Sequence, residues 1–549
     1  MPTHFASQLP GKLQNDASCR ESVCMSGTSA TPIDPANSDR TKEQAATQAG
    51  AASSGGADSS SLAQRALRGG MIIIGSKFLL QGFTWASTLL VIRLLEPSDY
   101  GIVVAAFFVV NLAHLVAEGG LTRALVQKPA LHDRDCSVAF TAAAIMSIVL
   151  YLIIWFAAVP LAKHAANPQL VPMMRVMALA IIIPIFHVIP DAMLERKLQY
   201  STVAAATLAS TFAQALVTLG LAWRGWGAWA LCAGILASKL TYAVWVNVAQ
   251  PWKLEFTWPG AEGRKLLGFG MTIAATNLLW TLNHSADTAV ILALLGTAPL
   301  GLYSVAMQLA MIPLEKVNVT VNAVSFSTFS RLHGEPDRLR RWFLKLLTLR
   351  AVLAFPMLVG LALVADDVLP MVLGEKWRPL VPLFQILAPV GAIMVASTAF
   401  TPLFNAIGRP DLALKYTAVS ALTLTAAFYV GCSYAGLVGV CVAWAAFYPV
   451  LFFGMLLLTA RASGVGAGEA LMAMISPALG AAVMAGAVLA VRSMFPGDEH
   501  ALARFASSVI VGTFAYAAVV SVLCGRALWA DINSLSAILG KRKPGELEA

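Results

Sequence analysis

Charge is what this sequence has least of. Asp, Glu, Lys and Arg make up 12% of its 549 residues, against roughly 25% in soluble domains. Hydrophobic residues make up 58%, and the mean hydropathy is +0.71. That balance excludes a soluble globular protein. Long polar stretches are missing between residues 63 and 526, so no soluble ATPase domain fits between the apolar runs, and energy for any transport has to come from an ion gradient or from the substrate's own gradient. The seven cysteines are scattered without a CxxC, and no disulfide framework or metal site follows from them.

Catalytic motifs are missing too. There is no HExxH and no nucleophile elbow. The run GMIIIGSK, 70–77, lacks the GK[ST] ending of a phosphate loop and lies in an apolar run, so it reads as helix. Asp133-Arg134-Asp135 matches the DxD of metal and sugar-nucleotide binding. It stands in a short basic loop with no nucleotide-binding fold beside it, and reads as a solvated charge run. The chain is expected not to be an enzyme and to carry no metal or cofactor.

What is present is apolar length. Runs of the 17 to 25 residues needed to span a bilayer fall near 71–93, 101–121, 138–162, 172–192, 202–223, 227–249, 267–293, 298–325, 346–368, 379–403, 414–434, 437–460, 469–492 and 503–524. The fold class expected is an all-α polytopic membrane protein of about 14 transmembrane helices. The net charge of +9 is no nucleic-acid signal. With a cytoplasmic N-terminus, about 26 Lys and Arg fall on the inner side and about 8 on the outer, the positive-inside bias, which places both termini in the cytoplasm.

One stretch organises the rest. From Asn283 to Arg331 two apolar runs flank the turn Gly296-Thr-Ala-Pro299, and they carry Asn283, His284, Asp287, Gln308, Glu315, Lys316, Asn318 and Asn322. Each is costly at membrane depth unless it faces water or a partner, so this hairpin is expected to line a polar path. The same pattern occurs about 200 residues earlier, where LLEPSDYGIVVAA aligns with LLGTAPLGLYSVA and sets Gly101 over Gly301. Two halves that open alike are the mark of an internally duplicated transporter.

The domains expected are a disordered cytoplasmic tail 1–62, a first half 63–250, a cytoplasmic linker 251–265 at the membrane surface, a second half 266–462, an appended helix pair 463–526 without intramembrane charge, and a cytoplasmic tail 527–549 whose end, KRKPGELEA, is solvated. In the first half Lys77, Gln81, Asn111, His114, Glu118, His187, Asp191 and Lys239 lie within spans. Lys77 and Lys239 also read as snorkelling side chains, and His114 and His187 as satisfied core histidines.

DTAVILALLGTAPLGLYSVAMQLAMIP, LGEKWRPLVPLFQILAP (373–389) and LFNAIGRPDLAL (403–414) resemble the polysaccharide flippases of the multidrug/oligosaccharidyl-lipid/polysaccharide superfamily. In the first half VIRLLEPSDYGIVV, GLTRALVQ and ERKLQYSTVA look like its lipopolysaccharide and exopolysaccharide exporter branch. The likeness covers roughly 65–460 in order. It implies fourteen helices, with two six-helix lobes around a central cavity plus an extra pair, and translocation of an undecaprenyl-diphosphate-linked oligosaccharide across a bacterial inner membrane.

The partners implied are the lipid-linked oligosaccharide, the bilayer, a coupling H+ or Na+, and a polysaccharide polymerase with its chain-length regulator. A diphosphate passing through a cavity needs cations. Lys77, Arg93, Lys239, Lys316 and Arg350 are the candidates, with Glu118, Asp287 and Glu315 as acids and Asn283 and Gln308 as polar lining. Asp287 also reads as a group that only holds its hairpin together, and Glu315 with Lys316 as an interfacial pair. Competing readings are a lipid-linked peptidoglycan precursor flippase, a drug or organic-cation antiporter, and a membrane polymerase or glycosyltransferase. The last would need a long loop bearing acid and base residues.

Overall fold

In hydrocarbon every backbone N–H and C=O has to find its partner within the chain, so long apolar runs fold as helices. Helices stop where Gly and Pro interrupt. Pro97 opens α2, and Gly119 closes it in the left-handed region at φ 56°. The structure, a computed structural model, describes residues 82–128, 131–253, 255–258, 261–311, 336–495 and 501–540. All of them fall in the compact unit Phe78–Lys543.

In chain order the described helices begin with α1 Gly82–Leu94, α2 Pro97–Glu118, α3 Leu121–Gln127, α4 Asp133–His164, α5 Leu170–Met177, α6 Leu179–Ile182, α7 Val188–Arg196, α8 Tyr200–Trp223 and α9 Ala228–Ala249. They continue with α10 Ala261–His284, α11 Ala286–Leu295, α12 over 297–311, α13 Pro336–Leu363, α14 Ala365–Leu373, α15 Val381–Ser397, α16 Phe400–Ala406, α17 Pro410–Ser463, α18 Ala467–Met494 and α19 Ala501–Gly540. No strand occurs among the described residues.

Nine of the described helices are long and apolar enough to cross a membrane. The number is eleven if each of two bent pairs is one span: α5–α7, bent by 41° at His187, and α10–α11, bent by 59° at Ser285. The α17 element has 54 residues, about 80 Å of helix at 1.5 Å per residue, far more than one crossing of a ~30 Å hydrocarbon core. Its helical dihedrals break at Ala435 and Gly436. Either side of that break, a Cβ on Gly431 would lie 2.4 Å from the Gly439 oxygen, and one on Gly439 1.8 Å from the Gly431 oxygen. The element is a helical hairpin, which separates the expected runs 414–434 and 437–460. The runs 71–93 and 298–325 lie only in part within the described residues, as α1 and α12.

The duplication extends well beyond the stretch that revealed it. The α8–α9 turn passes through Gly227 at φ 52°, ψ −133°, and the α17 break through Gly436 at φ 57°, ψ −137°. Few side chains tolerate that backbone. In this register Cys232 falls on Cys441, exposed by 1% and 0%. Likewise Leu-Val-Pro at 170–172 falls on Leu-Val-Pro at 380–382, and the break at His187 falls on the break between Ser397 and Phe400.

One continuous apolar core joins the halves, with Ile92, Leu95 and Tyr100 from the first and Tyr303, Phe343, Trp377 and Phe400 from the second. α10 follows the linker but packs on α2, α3 and α4. Past the bend, α11 packs on α17. The linker is held against α4: Trp252 meets Phe140 edge-on and Phe256 packs tilted against it, at 5.1 and 5.2 Å, and the Thr257 N–H donates to Thr141 Oγ1 at 3.0 Å.

Two expectations change. The appended pair is not free of charge: Arg492 and Arg504 both bind Asp367 of α14, the first at 2.8 Å, and at the other end of α18 Glu469 accepts from Arg340 Nε at 2.8 Å. The apolar interior of each span hid this, because the charges sit at the ends. Helix α19 continues into the segment expected as a cytoplasmic tail, to Gly540. Asp135 is not a solvated charge; it is buried, binds Lys128 at 2.6 Å and accepts the His132 N–H at 3.0 Å, capping α4. The tail 1–62 and residues 541–549 lie outside the described residues.

Candidate functional site

The halves meet at one end of the bundle through the α1–α2 turn, the loop after α4, the α11–α12 turn and the segment after α14. Arg93 Nη1 donates to the Met371 and Val372 carbonyls, each at 3.2 Å, at the C-terminus of α14, where a cation meets the negative end of the helix dipole. Trp377 is fully buried; its Nε1–H donates to the Ile92 carbonyl at 2.9 Å and its ring meets Tyr100 edge-on at 5.8 Å. Lys376 pairs with Glu96 at 3.3 Å, and Asn167 donates to Thr297 Oγ1 at 2.9 Å. These contacts seal that face with interlocking backbone, a buried indole and polar clasps.

Within the membrane the candidate residues separate into different neighbourhoods. Lys239, the twelfth residue of the 22-residue α9, places its Nζ 3.4 Å from His114 Nε2 on α2. Glu118, one helical turn beyond His114, interacts electrostatically with Lys239. Beside them His187 Nδ1 bonds Asp191 at 2.8 Å, and the Tyr242 hydroxyl donates to the other Asp191 oxygen at 2.9 Å. Spacing explains the gathering: 114 and 118, 187 and 191, and 239 and 242 are each one turn apart, so three helices present paired polar groups toward one another.

In the second half Asp287 is buried. It accepts the Tyr303 hydroxyl at 2.5 Å and the Thr288 N–H at 2.7 Å, and Tyr303 in turn accepts the Trp444 indole N–H at 2.9 Å. This carboxylate is held by neutral donors across α11, α12 and α17, and fixes the segment that follows the α10–α11 bend. Arg350 is fully buried on α13 and donates to Thr398 Oγ1. Asn283 is half-buried one residue before the end of α10, and Gln308 is exposed on α12. Lys77, Glu315 and Lys316 lie outside the described residues.

Of the candidates whose contacts are described, the structure brings together only Lys239 and Glu118. Arg93 belongs to the seal. Tyr242, Tyr303, Trp444 and Trp377 were not picked out from the sequence, because an aromatic residue in an apolar run carries no sign of its hydrogen bond. Trp377 and Lys376 lie in the LGEKWRPLVP motif, the one signal that could have found them.

The fold and sequence have relatives. The chain is 24% identical over 359 residues to the lipopolysaccharide biosynthesis protein WzxC of Escherichia coli, covering 63% of this chain and 71% of that protein. It is 23% identical over 350 residues to the succinoglycan biosynthesis transport protein ExoT of Rhizobium meliloti, covering 64% and 71%. The structure of a lipid II flippase, MurJ, in an inward closed conformation superposes with a TM-score of 0.69 at 12% identity, over 83% of this chain and all of that one, a likeness of fold. Residues 90–382, more than half of the chain, match the family described as polysaccharide biosynthesis protein, and the chain is a multi-pass membrane member of that family.

Proposed function

We propose that the chain is a bacterial inner-membrane flippase that carries undecaprenyl-diphosphate-linked oligosaccharide units to the outer leaflet for exopolysaccharide, capsule or O-antigen synthesis. The observation that carries the reading is the pairing of a duplicated helical bundle, clasped at one face by contacts between its halves, with polar networks at membrane depth. Alternating access needs such a frame: two repeats that rock about a path, with one face closed. The names of the two relatives above, in lipopolysaccharide and succinoglycan biosynthesis, point to the same class of cargo. The fold likeness to a lipid II flippase favours a lipid-linked precursor as the second reading, ahead of a drug antiporter.

In this reading 63–250 and 266–462 form two six-helix lobes joined by the linker 251–265, the pair 463–526 is appended, and both termini are cytoplasmic. The sealed face is then periplasmic. The carrier's apolar tail stays in the bilayer while its diphosphate meets cations. Lys239, Arg350, Lys77 and Lys316 are the proposed ones, with Glu118, Asp287, Glu315, Asn283 and Gln308 along the path. Arg93 acts at the seal. The chain transports and does not catalyse, and it works with a polymerase and a chain-length regulator.

The test is deletion of the gene in its own host, followed by complementation. Surface polymer should vanish while lipid-linked repeat units accumulate on the inner leaflet, and the intact chain should restore both. Lys316→Ala should abolish export at normal protein level and Lys316→Arg should keep part of it, because charge survives while geometry changes. Normal surface polymer in the deletion strain would overturn the reading.

A further inference from the structure

The duplication supplies an internal control for the polar network of the first half. In the register fixed by the two hairpins and the two Leu-Val-Pro helices, His187 corresponds to Ser397, Asp191 to Thr401, Lys239 to Tyr448 and Tyr242 to Leu451. By the 200-residue offset of the opening hairpin, His114 and Glu118 correspond to Leu314 and Asn318. The second copy holds the same frame with a neutral pair, Ser397 Oγ and Tyr448 Oη at 2.7 Å. At the described positions 397, 401, 448 and 451 the frame therefore does not need ionised groups, whereas the first-half cluster carries six polar ones.

Their charges do not cancel. Lys239 contributes +1, Glu118 and Asp191 each −1, so with both imidazoles neutral the cluster carries one net negative charge within spans, a costly state in a bilayer. One proton brings it to zero. His187 is placed to take it: with Nδ1–H donated to Asp191, its Nε2 lone pair is left to bind the incoming proton, and release runs the same path backwards. Both Asp191 oxygens are already bound, by His187 and Tyr242, and the described residues hold no cluster of three His, Cys, Asp or Glu that could grip a metal ion. Nδ1 of His114 is buried without a hydrogen-bond partner among the described residues, a second sign that this cluster is not a fully satisfied core.

Of the helices packed against the cluster, α3 carries Arg123 and α10 ends in His284, both exposed; α10 also carries Glu262, Arg264 and Lys265 at its start, the end away from His284. The remaining neighbours add no charge to the cluster among the described residues. The α8 helix has no ionisable side chain between Thr202 and Trp223, and α6 has none. Arg175 of α5 is committed to the Trp155 ring at 4.3 Å. On α7, Glu195 is exposed and Arg196 is bound to the carbonyls of Leu125, Val126 and Lys128. Between Ser137 and Lys163, α4 offers only Tyr151.

We propose that this first-half cluster is the chain's proton-binding site, with the His187–Asp191 pair as the acceptor and Lys239 as the charge that Glu118 and His114 hold beside it. The proposal deepens the transport reading and rests on it for the proton's use, but not for its binding.

The experiment uses the full-length protein in nanodiscs with spin labels at the exposed positions 226 and 434, one on each half, in a background whose seven cysteines are replaced. The probe is the proton alone, varied across about pH 5 to 8. The distance distribution should shift with a one-proton slope. His187→Gln and Asp191→Asn should flatten that shift, and so should the repeat swap His187→Ser with Lys239→Tyr, which copies the neutral pair of the second half and tests for folding. A swap that folds and titrates like the parent overturns the proposal, as does a response to Na+ at fixed pH with none to pH. If the parent titrates as expected but fails to restore surface polymer, the transport reading falls and this one stands. If export is restored while all variants titrate unchanged, only this one falls.

Discussion

Gly101 of α2 and Gly301 of α12 pack backbone against backbone. A Cβ on Gly101 would lie 1.8 Å from the Thr297 oxygen, and one on Gly301 1.9 Å from the Pro97 oxygen. The sequence repeat pairs 97 with 297 and 101 with 301, so each glycine meets the copy of its own surroundings. That reciprocity is what a two-fold axis between the repeats produces.

Alanine at either glycine must push the halves apart at the sealed face. Overpacking of this kind costs about 1–3 kcal/mol, roughly a 5- to 150-fold fall in the sealed population. A bifunctional thiol reagent bridging cysteines at 164 and 293, where His164 Nε2 lies 3.0 Å from the Ala293 carbonyl, reports that population. Unchanged bridging in Gly101→Ala and Gly301→Ala would show that the contact does not hold the seal. Trp377→Ala, which removes a fully buried indole, should lower bridging further, with a packing loss of about 3–5 kcal/mol.

Tyr303→Phe takes from the buried Asp287 its side-chain donor of 2.5 Å. Leaving a buried acceptor short costs about 1–3 kcal/mol, read as lower thermal stability in detergent by fluorescence-detected size exclusion. Adding Asp287→Asn should recover part of the loss, because no charge is then left short of a donor. Purely additive losses would mean that the two side chains do not act as a unit.

The two ends of the appended pair should respond unequally. Asp367 is buried between Arg492 and Arg504, so Asp367→Ala should cost about 3–5 kcal/mol and increase hydrogen exchange in α18 and α19. Arg340 and Glu469 are 41% and 43% exposed, and Arg340→Ala should cost no more than about 1 kcal/mol. Equal effects would contradict this difference in burial.

Topology is open to labelling from outside intact cells. Cysteines at the exposed positions 375 and 338 should differ: an impermeant thiol reagent should reach 375 and not 338. Labelling at 338 alone would invert the orientation, and with it the identity of the sealed face.

The halves were legible because hydropathy and the LLEPSDYG and LLGTAPLG turns repeat in order along the chain, and the resemblance to a polysaccharide flippase lay in short motifs of the same kind. The site was legible only in outline. Arg93 looked like a cavity cation and is a helix cap at the seal, since a charge near the end of an apolar run gives no sign of which way it turns. Lys239 and Glu118 were found singly. Their partnership with His114, and the neighbouring pair of His187 with Asp191, depends on three helices far apart in the sequence.

By itself, then, the sequence determined that this chain spans a membrane many times, that it is two copies of one plan, and to which family it belongs. Those properties follow from local apolar length and from order along the chain, which need no contact to be read. Tertiary structure decided which polar groups share a neighbourhood and which face the halves close. A helix fixes only the angle between its own residues, and the partner each one meets is set by how helices from both copies pack.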